Sequence, residues 1–166
     1  QIPDAELEPY TSLAWNDPPF TRSSHSGYTP QFTPRAAYAA MISAMDDGVG
    51  LIVKTLKAEG LLEKTLIFFA GDNGAPLKTG MEDLPLKENG WDGSMNVPLN
   101  GEKGTLMDGG MHVPFVISWK GVIPAGQVYR KPVWTLDIAA TAVALAGIAV
   151  PADSLDGVNL IPFLSG

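Results

Sequence analysis

Asp72 and Asn73 stand together in Gly71-Asp72-Asn73-Gly74 and set a carboxylate beside an amide carbonyl. Both are hard oxygen donors of the kind calcium or magnesium accepts, and the flanking glycines let the backbone turn sharply enough to aim both one way. The same tripeptide is also turn chemistry with no ligand at all, so alone it leaves both readings open. Further on, Gly101-Glu102-Lys103-Gly104 holds a lysine between small neighbours. The chain has 11 basic against 18 acidic side chains, a formal net charge of −7, which argues against a nucleic-acid backbone or an anionic membrane as its general partner. Any anion it binds must meet a local exception, and Lys103 is one, although a loop lysine is otherwise simply solvated. Between these motifs, Trp91 offers an aromatic face, and Asp92 and Asn96 offer groups that bind hydroxyls, a set suited to a sugar. Packing of Trp91 onto the domain is the competing reading. His25, in Ser24-His25-Ser26, reads as a loop histidine. With no cysteine, these residues hold no disulfide, zinc-thiolate site or thiol nucleophile.

The elements that must position these groups follow from the apolar pattern. Residues 1–33 carry five prolines among Ser, Thr, Asn and Gly with no sustained period, an irregular, loop-rich segment. From Thr33-Pro34 onward, Tyr38, Met41, Ile42, Met45, Val49, Ile52, Val53 and Leu56 recur at spacings of three and four. This predicts one long amphipathic helix from Pro34 to Glu59, started by a hydroxyl cap and ended by Gly60. Gly48 and Gly50 weaken that helix by about 1 kcal/mol each, so a close neighbour is expected there. Thr65 to Ala70 and Val113 to Trp119 are uninterrupted apolar runs, the signature of strands buried on both faces, and the pair is expected to lie parallel. Leu136 to Ala146 predicts a buried helix opened by Thr135 or Asp137 and closed by Gly147. Between the strands, Ala75 to Asp108 is a loop of a length that in compact domains is usually functional or disordered. Helix, strand, loop, strand, helix is the order of a parallel α/β sheet, and ligands of such sheets sit beyond the carboxyl ends of the strands, where Asp72 and Asn73 lie. Ile138 to Val150, the longest strongly apolar stretch, falls short of the roughly 20 residues of a membrane span, so no membrane span is expected.

Taken in order, the helix YAAMISAMDDGVG, the strand ending in Asp72-Asn73-Gly74, the block GEKGTLMDGGMHVPFVISWKG, the helix LDIAATAVALAGI and the close LDGVNLIPFL resemble the sulfatase family of the alkaline-phosphatase-like superfamily over nearly the whole chain. The resemblance implies a three-layer α/β/α fold with a mainly parallel sheet, present here in part, with residues 34–166 as part of one catalytic domain. It implies that Asp72 and Asn73 are two ligands of a single calcium ion (Ca2+) and that Lys103 contacts the sulfate. If the three share one centre, the lysine nitrogen lies within roughly 8 Å of the Asp72 oxygens. The family acid is Asp108 here, and the family arginine is His112, so the partner of that arginine is held differently. Asp46, in Asp46-Asp47-Gly48-Val49-Gly50, recurs in the family and reads as structural.

The family nucleophile is a formylglycine made within Cys-or-Ser, any residue, Pro, Ser, Arg, and this chain has neither a cysteine nor a Ser-x-Pro. The paired aspartates that complete the metal site are absent too. The expectation is therefore an internal segment of a sulfatase, lacking the amino-terminal nucleophile region and a carboxyl-terminal subdomain and inactive by itself. Its implied partners are a sulfate ester, of carbohydrate by best reading, and the missing parts of the same enzyme; its expected location is periplasmic or secreted. Two rivals remain. One is a phosphoesterase of the same superfamily, disfavoured because a two-metal phosphatase places histidine where Asn73 stands. The other is a non-catalytic glycan-binding or structural unit.

Overall fold

The computed structural model describes residues 2–21, 29–77, 93–151 and 153–165. The chain divides into two compact units, one of Gln1–Ile52 with Gly71–Val113, the other of Val53–Ala70 with Pro114–Gly166.

In the first unit, residues 4–11 form a helix, α1 (Asp4–Thr11), inside the segment expected to be irregular. Asp4 and Glu6 lie in its first turn, where acidic side chains offset the positive end of the helix dipole. The Tyr10 hydroxyl is hydrogen-bonded to the Ser43 hydroxyl and so fastens α1 to the second helix. Helix α2 (Pro34–Ala58), which begins in this unit and runs into the second from Val53, has the expected bounds within one residue. Its start is capped by a distant residue: the Asp17 carboxylate accepts the N–H of Arg35 at 2.8 Å and of Ala36 at 3.0 Å. Its end follows the expected route, with Gly60 at φ +66° and the Leu61 N–H reaching back to the Leu56 carbonyl at 2.8 Å.

The packing of α2 departs from expectation. Only Pro34, Ala36, Ala37 and Ala40 are buried, whereas the apolar stripe beyond them is open: Met41 is 52% and Ile52 59% exposed. A Cβ on Gly48 or Gly50 would meet nothing within 4 Å, so these glycines mark no close neighbour. Among the described residues, α2 is the one helix long and apolar enough to cross a membrane, by length and composition. It carries Asp46 and Asp47 at mid-length, each costing about 2.5–3.5 kcal/mol at a bilayer centre, and its first turns are covered by protein.

In the second unit, β1 (Ile67–Ala70) and β2 (Phe115–Ser118) pair antiparallel, with Ile67 opposite Ser118 and Ala70 opposite Phe115. The expected parallel pairing is therefore wrong for these two strands. The reason lies in the connection: the chain leaves β1 at Ala70 and re-enters at its register partner Phe115, so the excursion starts and finishes at one end. A parallel neighbour would require a crossover back to the other end. The strands are also not buried on both faces, since Phe69 and its partner Val116 are 38% and 56% exposed. On the other face, the rings of Phe68 and Phe115 meet edge to face at 6.1 Å.

Helix α4 (Leu136–Leu145) follows a short helix in the first unit, α3 (Asp108–Met111), and ends at Gly147 with φ +65°. Asp137, 2% exposed, accepts the Trp134 N–H at 3.0 Å and the Val158 N–H at 2.8 Å, and Thr141 accepts the Leu160 N–H at 3.0 Å. These bonds lay residues 158–160 along α4 and lead into α5 (Ile161–Leu164), burying Ala140, Leu160 and Leu164. Gly157 is needed for this approach, because a Cβ there would fall 2.3 Å from the Leu136 carbonyl oxygen.

Candidate functional site

Asp72, exposed, and Asn73, half-buried, follow β1 directly. The Asp72 carboxylate accepts the Asn73 N–H at 3.0 Å, and the Asn73 amide nitrogen donates to the Gly74 carbonyl at 3.0 Å. With its nitrogen committed to Gly74, Asn73 keeps its carbonyl oxygen as the acceptor that a hard cation could use. A carboxylate and an amide oxygen fit calcium chemically, but two donors are far fewer than the 6–8 oxygens calcium takes. Among the described residues, no group of three His, Cys, Asp or Glu side chains could hold a metal ion.

The turn after Asn73 is packed backbone against backbone. The Gly74 N–H donates to the Gly110 carbonyl at 2.9 Å, and the Lys103 N–H to the Ala75 carbonyl at 3.2 Å. A Cβ on Gly74 would lie 1.7 Å from the Gly109 oxygen, one on Gly109 2.3 Å from the Gly101 oxygen, and one on Gly110 2.4 Å from the Thr105 oxygen. Only residues without side chains allow three segments to approach so closely: the strand-end turn, the Gly101–Gly104 loop and the start of α3. Gly101 and Gly104 also adopt φ +93° and +88°, a left-handed backbone that other residues avoid.

Two side chains complete this junction. Asn96 accepts the Ala75 N–H at 2.9 Å and donates to the Ala75 and Gly101 carbonyls, each at 3.0 Å. The Glu102 carboxylate accepts the Leu77 N–H at 2.6 Å. Glu102 carried no sequence signal beyond its place beside Lys103, and the backbone partners of Asn96 are visible only in the folded chain. Lys103 and Asp108 are exposed, as is His112, whose N–H bonds the Asp108 carbonyl at 2.7 Å. Asp46 is exposed on α2. Trp91 and Asp92, expected to face a sugar, and His25 lie outside the described residues. In the second unit, Lys120 reaches the Glu63 carboxylate at 2.9 Å and holds its pKa below the ordinary value through this hydrogen bond and ion pair; both groups are exposed.

The family described as Sulfatase matches residues 11–148. Human N-acetylgalactosamine-6-sulfatase is 34% identical over 131 residues, covering 78% of this chain and 23% of that protein. An uncharacterized sulfatase of Escherichia coli, YdeN, is 35% identical over 159 residues, covering 92% of this chain and 26% of that one. The crystal structure of Ps i-CgsB in complex with k-i-k-neocarrahexaose is 31% identical with a TM-score of 0.72, covering 98% of this chain and 30% of that one. A second structure, the PsFucS1 sulfatase from Pseudoalteromonas sp., is 33% identical with a TM-score of 0.65, covering 86% of this chain and 26% of that one. The chain spans about a quarter of the length of the curated relatives it matches. Its small antiparallel sheet and its helices are thus a portion of the alkaline-phosphatase-like α/β fold of these neighbours, and the chain belongs to the sulfatase family.

Proposed function

We propose that this chain is a segment of an enzyme that hydrolyses sulfate esters of carbohydrate, to which it contributes Asp72 and Asn73 as calcium ligands and Lys103 as a contact to the sulfate. The observation that most supports this reading is the Lys103 N–H···Ala75 bond at 3.2 Å, which returns the lysine loop to the segment just after the two oxygen donors. The hexaose in the Ps i-CgsB complex supports a carbohydrate as the ester's alcohol part, and Trp91 and Asp92 are assigned to sugar contact on their chemistry. A periplasmic or secreted location belongs to the same reading.

The roles follow from charge. The Asp72 carboxylate and the Asn73 carbonyl would hold one side of the cation, which when bound supplies a Lewis acid for a sulfate oxygen. The Lys103 ammonium donates to another sulfate oxygen and offsets the charge of the sulfuryl group as the ester bond breaks. Electrostatic contacts of this kind are worth about 10²–10³-fold in rate, so Lys103→Ala in the active enzyme lowers kcat on an aryl sulfate by that factor. Asp72→Asn shifts the calcium dependence to higher concentration. Unchanged kcat in the lysine variant and unchanged calcium dependence in the aspartate variant would overturn the assignment.

One observation favours a second, non-catalytic reading: these 166 residues contain no cysteine and no Ser-x-Pro for a formylglycine. Under our proposal the nucleophile is supplied by residues beyond these, and the 166-residue chain alone releases no sulfate. Steady sulfate release by the pure chain would refute that.

A further inference from the structure

We infer that Asn96 is a positioning residue, which acts by pinning the loop that carries Lys103 to the turn that carries Asp72 and Asn73. This rests on the site reading above for its functional meaning, and on hydrogen bonds alone for its structure. A carboxamide has two N–H donors and two acceptor lone pairs. Asn96 gives one donor to the Ala75 carbonyl and the other to the Gly101 carbonyl, and it uses its oxygen on the Ala75 N–H, all at 2.9–3.0 Å. The side chain thus copies a strand neighbour toward Ala75, taking both of that residue's backbone groups, while its remaining donor holds Gly101.

The consequence is a fixed register. Ala75 lies two residues after Asn73, and Gly101 two before Lys103. The Ala75 carbonyl is itself shared, accepting the Lys103 N–H at 3.2 Å as well as the Asn96 amide. Glu102, on Leu77, makes a second tie between the same two segments. With three of its four hydrogen-bonding positions on backbone, Asn96 has a single acceptor site left for a sugar hydroxyl. Its chemistry is spent on holding the cation-binding turn and the lysine in one relation. Small displacements of a charged group from the reacting centre are costly, which is what such a tie prevents.

Backbone hydrogen exchange on the 166-residue chain, read residue by residue, tests this. Asn96→Ala removes all three bonds, and the Ala75 and Lys103 amides then exchange about tenfold faster, while the Gly109 amide and the interior of α2 keep their protection. Asn96→Asp retains an acceptor for the Ala75 N–H but loses both donors. It therefore preserves Ala75 protection and loses that of Lys103, an asymmetry that general destabilisation does not produce. Unchanged exchange at Ala75 and Lys103 in Asn96→Ala, or equal loss at both amides in Asn96→Asp, overturns the inference. Failure of the sulfatase-site reading shows elsewhere: in the active enzyme Lys103→Ala would leave kcat unchanged and Asp72→Asn would leave the calcium dependence unchanged, while the exchange pattern at Ala75 and Lys103 stands.

Discussion

Replacing Gly74 by alanine tests whether the site junction is held by direct backbone packing. The added Cβ would lie 1.7 Å from the Gly109 oxygen, 2.7 Å from its carbonyl carbon and 3.0 Å from the Gly110 Cα. All three atoms belong to backbone, so no side-chain rotation relieves the clash and the two segments must separate. Overpacking of this kind costs about 1–3 kcal/mol. Separation also stretches the 2.9 Å bond from the Gly74 N–H to the Gly110 carbonyl, a further loss of about 1 kcal/mol. The sum is about 2–4 kcal/mol. Gly48→Ala is the internal control, because the same added atom in α2 meets nothing within 4 Å and replaces a poor helix former, a gain of about 1 kcal/mol. Urea unfolding followed by far-ultraviolet circular dichroism should thus move the midpoint in opposite directions for the two variants. A Gly74→Ala chain as stable as the unaltered one would refute the packing argument, and a destabilised Gly48→Ala would show that α2 is covered where the structure leaves it open.

Asp137→Ala leaves the Trp134 and Val158 amides without their buried acceptor and should lower stability by about 2–4 kcal/mol, whereas an exposed carboxylate such as Asp46 can be replaced at almost no cost. Thr141→Val, nearly the same shape, removes the acceptor of the Leu160 N–H and should free α5 while leaving β1 and β2 protected from exchange. Carboxyl titration by NMR should place Glu63 below the ordinary value, and both Lys120→Met and high salt should return it there. Because folding lowers this pKa, the pair's contribution is present above the unfolded value and disappears as pH falls through the folded one; both groups are exposed, so the effect is small and screened.

Helices α2 and α4 were legible as helices because long apolar periods and a terminal glycine report local energetics that the fold does not override. The burial expected of α4 is found only in part, since Leu136 is 46% and Leu145 43% exposed. Helix α1 was not legible, since Pro9 and an absence of apolar period read as loop, while its fastening through Tyr10 to Ser43 comes from a residue far along the chain. The two strands were legible as strands, but their direction was set by where the connection begins and ends. At the site, the Asp72-Asn73 turn and the return of the lysine loop could be read from motif order. The reason for Gly74, Gly109 and Gly110 could not: as sequence they resemble flexible turn residues, yet none of the three has a positive φ, and what excludes a Cβ is another segment's carbonyl oxygen. Asn96 shows the same limit. A carboxamide among prolines and glycines looks available for a ligand until the fold brings Ala75 and Gly101 to it.

The two-stranded sheet has a consequence for how the chain behaves in company. Among the described residues strands β1 and β2 pair only with each other, so within that set each has one edge without a strand partner, beside the apolar pair Phe69 and Val116. Natural edges are usually blunted by charge, proline or a bulge, and a bare edge accepts any extended segment offered to it. In the cell such an edge is a template for strand addition as the rest of a sheet forms. In the test tube the same edge should make self-association rise with protein concentration, and Val116→Lys should suppress it.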